Sequence, residues 1–320
     1  RYNPMALQTD SRIWRDTDFI PGTSTPSGIV LPTNGDNIAQ ENEIGPSGNK
    51  LFGRALTRRP DPNIQRAYNV EYSAIVQHQL MDRVGITAGW FRRQFYNLTK
   101  TVNLAVDPNA DYTGFQIDDP RGNGQKITVF NLNRNKLGQV DQFETNSTVN
   151  GNVYTGFEVS FASRFERFNI YGGWTANRTV LTTCDTDNPN SFRFCDQTGS
   201  LYQNLGAVSN IPFRHDFKLN GYYRLPYGFQ FNLAWQSYAG AATAINYPVP
   251  AGAFSVVGGR TAAVTVPLAA PGTVYLDRWN QMDAGVRKSF KVGGEREFSL
   301  QLDVFNALNA SSILGEVQTY

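Results

Sequence analysis

The chain has 320 residues, and 29 Lys and Arg against 27 Asp and Glu leave a formal net charge of +2, without the concentrated basic face that nucleic-acid binding needs. Charged residues make up 18%, below the roughly 25% typical of soluble domains, while aromatics reach 13%. Mean hydropathy is −0.40, and no run approaches the ~18 apolar residues of a membrane helix, so a helical membrane protein is excluded as well.

Residues 1–66 are rich in turn formers and are predicted to be a loop segment leading into the remainder, 67–320. The chain starts at Arg1 with no visible signal peptide, which reads as a mature or partial chain. The first periodic segment is YNVEYSAIVQHQL, residues 68–80. Tyr68, Val70, Tyr72, Ala74, Val76, His78 and Leu80 share one face, and on the other only Ile75 is apolar. A period of two makes this a strand. After a turn near Met81-Asp82-Arg83 the chain returns through Val84, Ile86, Ala88 and Trp90, closing a hairpin over about 68–97.

A loop at ~98–150 follows. Within it Asp107, Asn109, Asp111 and Asp118 fit positions 1, 3, 5 and 12 of a calcium loop, but Tyr112 stands where that loop needs glycine, so they are weak candidates. Asp16 and Asp18, and Asp185 and Asp187, are similar weak candidates. The second hairpin, about 151–180, sets Val153, Thr155, Phe157, Val159 and Phe161 on one face, turns at Glu166-Arg167 and climbs through Phe168, Ile170, Gly172 and Trp174. Cys184 and Cys195, the only cysteines, lie in the next loop; an even pair in an oxidising compartment predicts a disulfide. No histidine or second cysteine pair stands near enough to complete a zinc site.

The third hairpin, about 213–239, descends through Phe217, Leu219, Gly221 and Tyr223, turns at Pro226-Tyr227-Gly228 and rises to Trp235. The fourth, about 279–307, pairs Met282, Ala284, Val286 and Phe290 with Phe298, Leu300, Leu302 and Val304 across Gly293-Gly294. Short turns at one end and long loops at the other predict an all-β, antiparallel transmembrane β-barrel, of which about 8–10 strands are present, with long extracellular loops. Trp90, Trp174 and Trp235 each follow a turn by seven residues on the apolar face. Seven residues at ~3.3 Å, tilted ~40°, climb about 18 Å of a ~25 Å apolar band, which predicts an aromatic girdle. A soluble sandwich, whose strands also alternate, has no reason to level them.

The opposite face carries Glu71, Glu158, Asp216, Lys218, Arg224, Asp283, Arg287 and Asp303. In a barrel these charges are expected to face the lumen, pairing with one another or with a polar plug. Lys288 and His78 fall on the lipid side but near the turns, where their tips reach the interface. With only two histidines and no nucleophile elbow, phosphate loop or zinc-protease helix, the chain is not expected to be an enzyme or to hold a cofactor.

The segment GTVYLDRWNQMDAGVRKSF followed by LQLDVFNALNASSIL resembles the end of TonB-dependent outer-membrane receptors, nearest to the Oar-like group with an N-terminal carboxypeptidase-regulatory-like domain. NVEYSAIVQHQLMDRVGITAGWFRRQFYNL, KLGQVDQF and SRIWRDTDFIPG are similar to that group too. The resemblance implies a 22-stranded barrel in the outer membrane of a Gram-negative-type bacterium, of which this chain holds about the last third. It also implies outer-membrane lipid, a plug domain, TonB and an extracellular solute as partners, with plug and TonB contacts made through parts not recognisable here. The activity implied is energised uptake of a scarce or bulky solute; a structural or adhesive surface barrel without transport is the alternative.

Overall fold

Side chains that alternate between two environments hold an extended backbone, and in the computed structural model they do so over unusual lengths. The structure describes residues 12–14, 16, 38–46, 58–198, 211–254 and 261–319. A short β1 (Arg58–Pro60) precedes the first long pair, β2 (Tyr68–Met81) and β3 (Val84–Tyr96). The next connection holds β4 (Thr99–Asn103), β5 (Tyr112–Asp118), β6 (Lys126–Leu132) and β7 (Gln142–Asn146). Then come β8 (Gly151–Arg164) and β9 (Phe168–Thr182), followed by β10 (Arg214–Arg224) and β11 (Phe229–Tyr238). A last connection carries β12 (Asn246–Pro248) and β13 (Thr265–Pro267) before β14 (Trp279–Lys291) and β15 (Glu297–Val304).

The eight long strands form one antiparallel sheet in the order β15-β14-β11-β10-β9-β8-β3-β2, an up-and-down meander in which sequence neighbours are sheet neighbours. The fold is therefore all-β with an antiparallel main sheet, its eight strands within the 8–10 expected. β2 and β15 are its edges, and the three further sheets, of two or three strands each, lie in the connections. The turns are tight because their residues reach the left-handed region: Arg83 has φ 70°, Tyr227 63°, and Gly293 92°. Where β11 leaves the sheet, a Cβ on Gly240 would lie 1.8 Å from the Leu276 carbonyl oxygen, so only glycine fits.

Cross-strand register keeps alternate residues of each strand on a common face of the sheet. Trp174 pairs with Val159 and Phe217, and Trp235 with Leu219 and Met282, while Glu158, Lys218, Arg224, Asp283, Arg287 and Asp303 fall on the other face. The register is also staggered. Trp90 stands opposite Phe157, but Trp174 stands opposite Val159, two residues nearer the turn. Trp174 then stands opposite Phe217 and Trp235 opposite Leu219, a further two residues nearer. Two residues per hairpin is one per strand, and with ~3.3 Å rise and ~4.8 Å spacing that places the three indoles on one level if the strands incline by about 35°.

Burial is inverted relative to an ordinary β-protein. Of the buried hydrophobic residues only Ala176 belongs to the eight-stranded sheet, and on its apolar face Val286, Phe231 and Phe157 are 43%, 40% and 40% exposed. The hydrophobic core lies in the connections instead. Ile117, Ile127 and Val129 of the β5–β6 hairpin pack with Val249, Phe254, Val264, Val266 and Leu268, and Phe115 meets Phe254 edge-on at 4.6 Å. Each such side chain contributes about 1.5–3 kcal/mol when fully buried. The segments expected to be turn-rich loops are thus partly a small folded layer, held together by its own core.

Candidate functional site

Two places carry chemistry: the polar face of the sheet, and a cavity in the connection layer. On the polar face Arg93 and Glu71 face each other across β2–β3 and form an ion pair at 2.5 Å. Both are exposed, so the pair adds little stability. Arg287 donates to Gln301 at 2.6 Å, and Gln301 donates to Asp303 at 2.8 Å, a relay across β14–β15. Asp283 accepts from Gln281 at 3.1 Å and from the Asn306 backbone at 2.8 Å, which ties down the chain leaving β15. Asp216 accepts from the Ala239 N–H at 2.7 Å. Lys218 lies over Tyr238 and Arg224 over Tyr222. Glu158 sits between Gly89 and Thr175 on this face.

On the other face, aromatic rings gather at two heights. At the loop end, Trp174 stacks on His215 with centroids 5.7 Å apart and donates from Nε1 to its Nδ1 at 3.1 Å. Phe217 stacks on Trp235 beside them. His215 lies within β10. Further out the same face turns polar, through Arg92 and Gln94 past Trp90 and Arg178 past Trp174. At the turn end, Phe168 stacks between Phe165 and Tyr223, and Phe290 meets Phe298. Lys288 lies 4.3 Å over Phe229 and reaches the Tyr227 carbonyl. Sequence reading missed this second row; its signal was an aromatic beside each of the three later turns.

The cavity, about 730 Å³, opens between the β5–β6 hairpin, the strand edge at Val266–Leu268 and the loop closed by the Cys184–Cys195 disulfide. That loop is pinned from several sides. Asn190 accepts from the Phe130 N–H at 2.8 Å and donates to its carbonyl at 2.9 Å, imitating a strand neighbour. Asn188 caps the 3-10 turn Pro189–Ser191. Asp185 takes Lys100 at 2.5 Å and the Ser147 hydroxyl at 2.6 Å, and Asp187 accepts from the Asn103 N–H. The pinned turn brings Phe192, Arg193 and Phe194 to the cavity wall, with Phe194 held at φ 60°, a conformation rare and strained for a bulky residue.

Across the cavity, Arg121 grips Asp119 through Nε and Nη2 at 2.9 and 2.5 Å, with Asn123 donating to the same carboxylate at 3.1 Å. The Asp119 side chain is fully buried, and Arg121 holds it well below the usual carboxylate range against the opposing effect of burial. A folded-state value below the unfolded one gives stability that is complete above the ordinary carboxylate pKa of ~3.9 and is lost only as pH falls through the depressed value. Asp119→Asn is therefore expected to destabilise the connection layer at pH 5 to 8, with the difference from the parent shrinking below pH 3. Amide exchange of the β5–β6 hairpin against pH checks this, and a difference that grows on acidification would contradict it. Burial and the neighbouring Arg121 push the Arg193 guanidinium down while Asp119 opposes them; an arginine stays charged throughout.

The calcium pattern is corrected by the structure. Asp107 and Asp111 are close, the Asp107 N–H donating to Asp111 at 2.8 Å, but Asp111 is already paired with Lys136 at 3.0 Å. Asp107 accepts from the Asn109 backbone. Asp118 ends strand β5 and pairs with Lys126. Six extended steps from Tyr112 carry Asp118 about 20 Å along the strand, away from Asp111, so the four do not converge. No group of three or more metal-ligating side chains occurs among the described residues, and Asp18 lies outside them.

No protein-family model and no curated protein matches the chain. Among solved structures it is similar to the outer membrane transporter YddB from Escherichia coli, at 10% identity and a TM-score of 0.40, over 79% of this chain and 30% of that one. The chain spans less than a third of that protein's length, and a likeness at this level adds nothing to what the geometry argues.

Proposed function

We propose that this chain is part of the wall of a β-barrel in the outer membrane of a Gram-negative-type bacterium, belonging to a TonB-dependent transporter that captures a scarce or bulky solute. Its short turns face the periplasm and its long connections the outside. One observation carries the reading: an eight-stranded sheet whose apolar face is left exposed, bounded by aromatic rings at both heights, while among the described residues the hydrophobic core lies in the connections. Soluble proteins rarely leave a contiguous apolar patch beyond a few hundred Å² open to water, whereas lipid is the solvent that face suits. In such a wall the two sheet edges pair with further strands, because open backbone groups in lipid are unsatisfied. The polar face then looks toward water and the plug. The cavity among the connections favours solute capture over a purely adhesive barrel; uptake that stops when TonB is removed separates the two.

Variants retaining a single tryptophan at 90, 174 or 235, reconstituted in vesicles, are expected to be quenched by brominated lipid and protected from aqueous iodide. Iodide access at all three positions would end this reading.

A further inference from the structure

The cavity in the connection layer holds three cationic side chains against two carboxylates, and the charges are unevenly committed. Arg121 is engaged by Asp119, and Lys126 by Asp118. Arg193 spends one donor, its Nε–H, on the Pro267 carbonyl at 2.8 Å, and its guanidinium carbon lies 4.6 Å over the Phe194 ring. That contact stacks the guanidinium on the ring, and Arg193, half-buried, lines the cavity together with Arg121, whose charge reaches it. Rings from Phe192, Phe194, Tyr112 and Phe130 line the same space. A planar fork of donors is shaped for an oxyanion, which it meets with paired charge-assisted hydrogen bonds. The surrounding rings offer flat apolar surface beside it.

We propose that this cavity binds a ring-bearing anionic solute, its carboxylate or phosphate on Arg193 and its ring among the phenylalanines. The site depends on the disulfide, since Phe192, Arg193 and Phe194 all lie within the closed loop. Its part in solute capture rests on the transporter reading, but binding itself does not. A volume of about 730 Å³ falls in the range of small-molecule sites, roughly 300–1,000 Å³.

The test uses the natural polypeptide that carries this chain, purified in detergent and titrated calorimetrically with phenyl phosphate, inorganic phosphate and phenol. Phenyl phosphate is expected to bind at least tenfold more tightly than either fragment. Arg193→Gln is expected to lower its affinity about tenfold or more, as loss of a paired charge-assisted contact does, with Arg193→Lys recovering part of the loss. An unchanged circular dichroism spectrum and intact disulfide in both variants exclude misfolding as the cause. Phenyl phosphate binding no better than phenol, or an Arg193→Gln protein that binds as the parent does, overturns the proposal. With tryptophan quenching by lipid still observed, such a failure leaves the transporter reading standing.

Discussion

Phe231→Arg is expected to lower the stability of the protein in lipid vesicles by about 2–4 kcal/mol, the cost of an arginine in the middle of a barrel's apolar band. Phe231 lies between the turn at Tyr227-Gly228 and Trp235, paired with Tyr223 and Val286 on the apolar face. It is 40% exposed, so on the surface of a water-soluble protein the same change would cost little. Its chain neighbour Asn232 points to the other face, opposite Tyr222 and Gly285. Asn232→Arg is expected to cost less than about 1 kcal/mol, because a solvated face accepts charge. Urea midpoints in vesicles, at constant slope, measure both variants. Equal costs for the two would show that the faces do not differ in solvent, and the membrane reading would fall.

Removing the disulfide is expected to have the next largest effect, and a local one. Cys184 and Cys195 are 11 residues apart, and loop-closure entropy puts the stabilisation at roughly 3 kcal/mol. In a Cys184→Ala/Cys195→Ala variant the cavity wall should loosen while the sheet persists, since β8 and β10 rather than the loop hold the middle of β9. Amide exchange distinguishes them. The Phe130 N–H, bonded to Asn190, and the Thr183 N–H, bonded to the Cys195 carbonyl, should lose protection. Amides in the middle of β9, paired on both sides by β8 and β10, should not. Full protection at Phe130 and Thr183 in the variant would mean that the ion pair and hydrogen bond at Asp185 and the hydrogen bond at Asp187 hold the loop without the covalent bond.

How far the sequence could be read differs between the sheet and its connections. The alternation in residues 68–80 marked the strand as far as Leu80, and the structure extends it by one residue to Met81. The four turns lay where residues tolerant of positive φ, or charged tips, interrupted that alternation. The β5–β6 hairpin escaped notice because KITVFNL alternates over only seven residues and is flanked by turn formers. The calcium pattern misled for a related reason. Its spacing requires a loop that curls back on itself, whereas Tyr112–Asp118 is extended and carries Asp118 away from Asp111. Nothing within that stretch reveals that it pairs with Lys126–Leu132.

A strand's two faces follow from a period of two residues, a local property, so the chain alone determined that long strands would turn one apolar and one polar side outward. It also determined which residues lay on each side, and that the two cysteines were near enough in sequence to bridge. Stagger between strands depends on how separate hairpins pair, and the packing of Ile127 and Val129 against Val266 and Leu268, with the meeting of Asn190 with Phe130 and Arg193 with Pro267, joins segments 60 or more residues apart. Such contacts form only when the connections fold over one another, and no local periodicity encodes them. The cavity exists because of that tertiary closure, which also brings Arg121 and Arg193 to its wall.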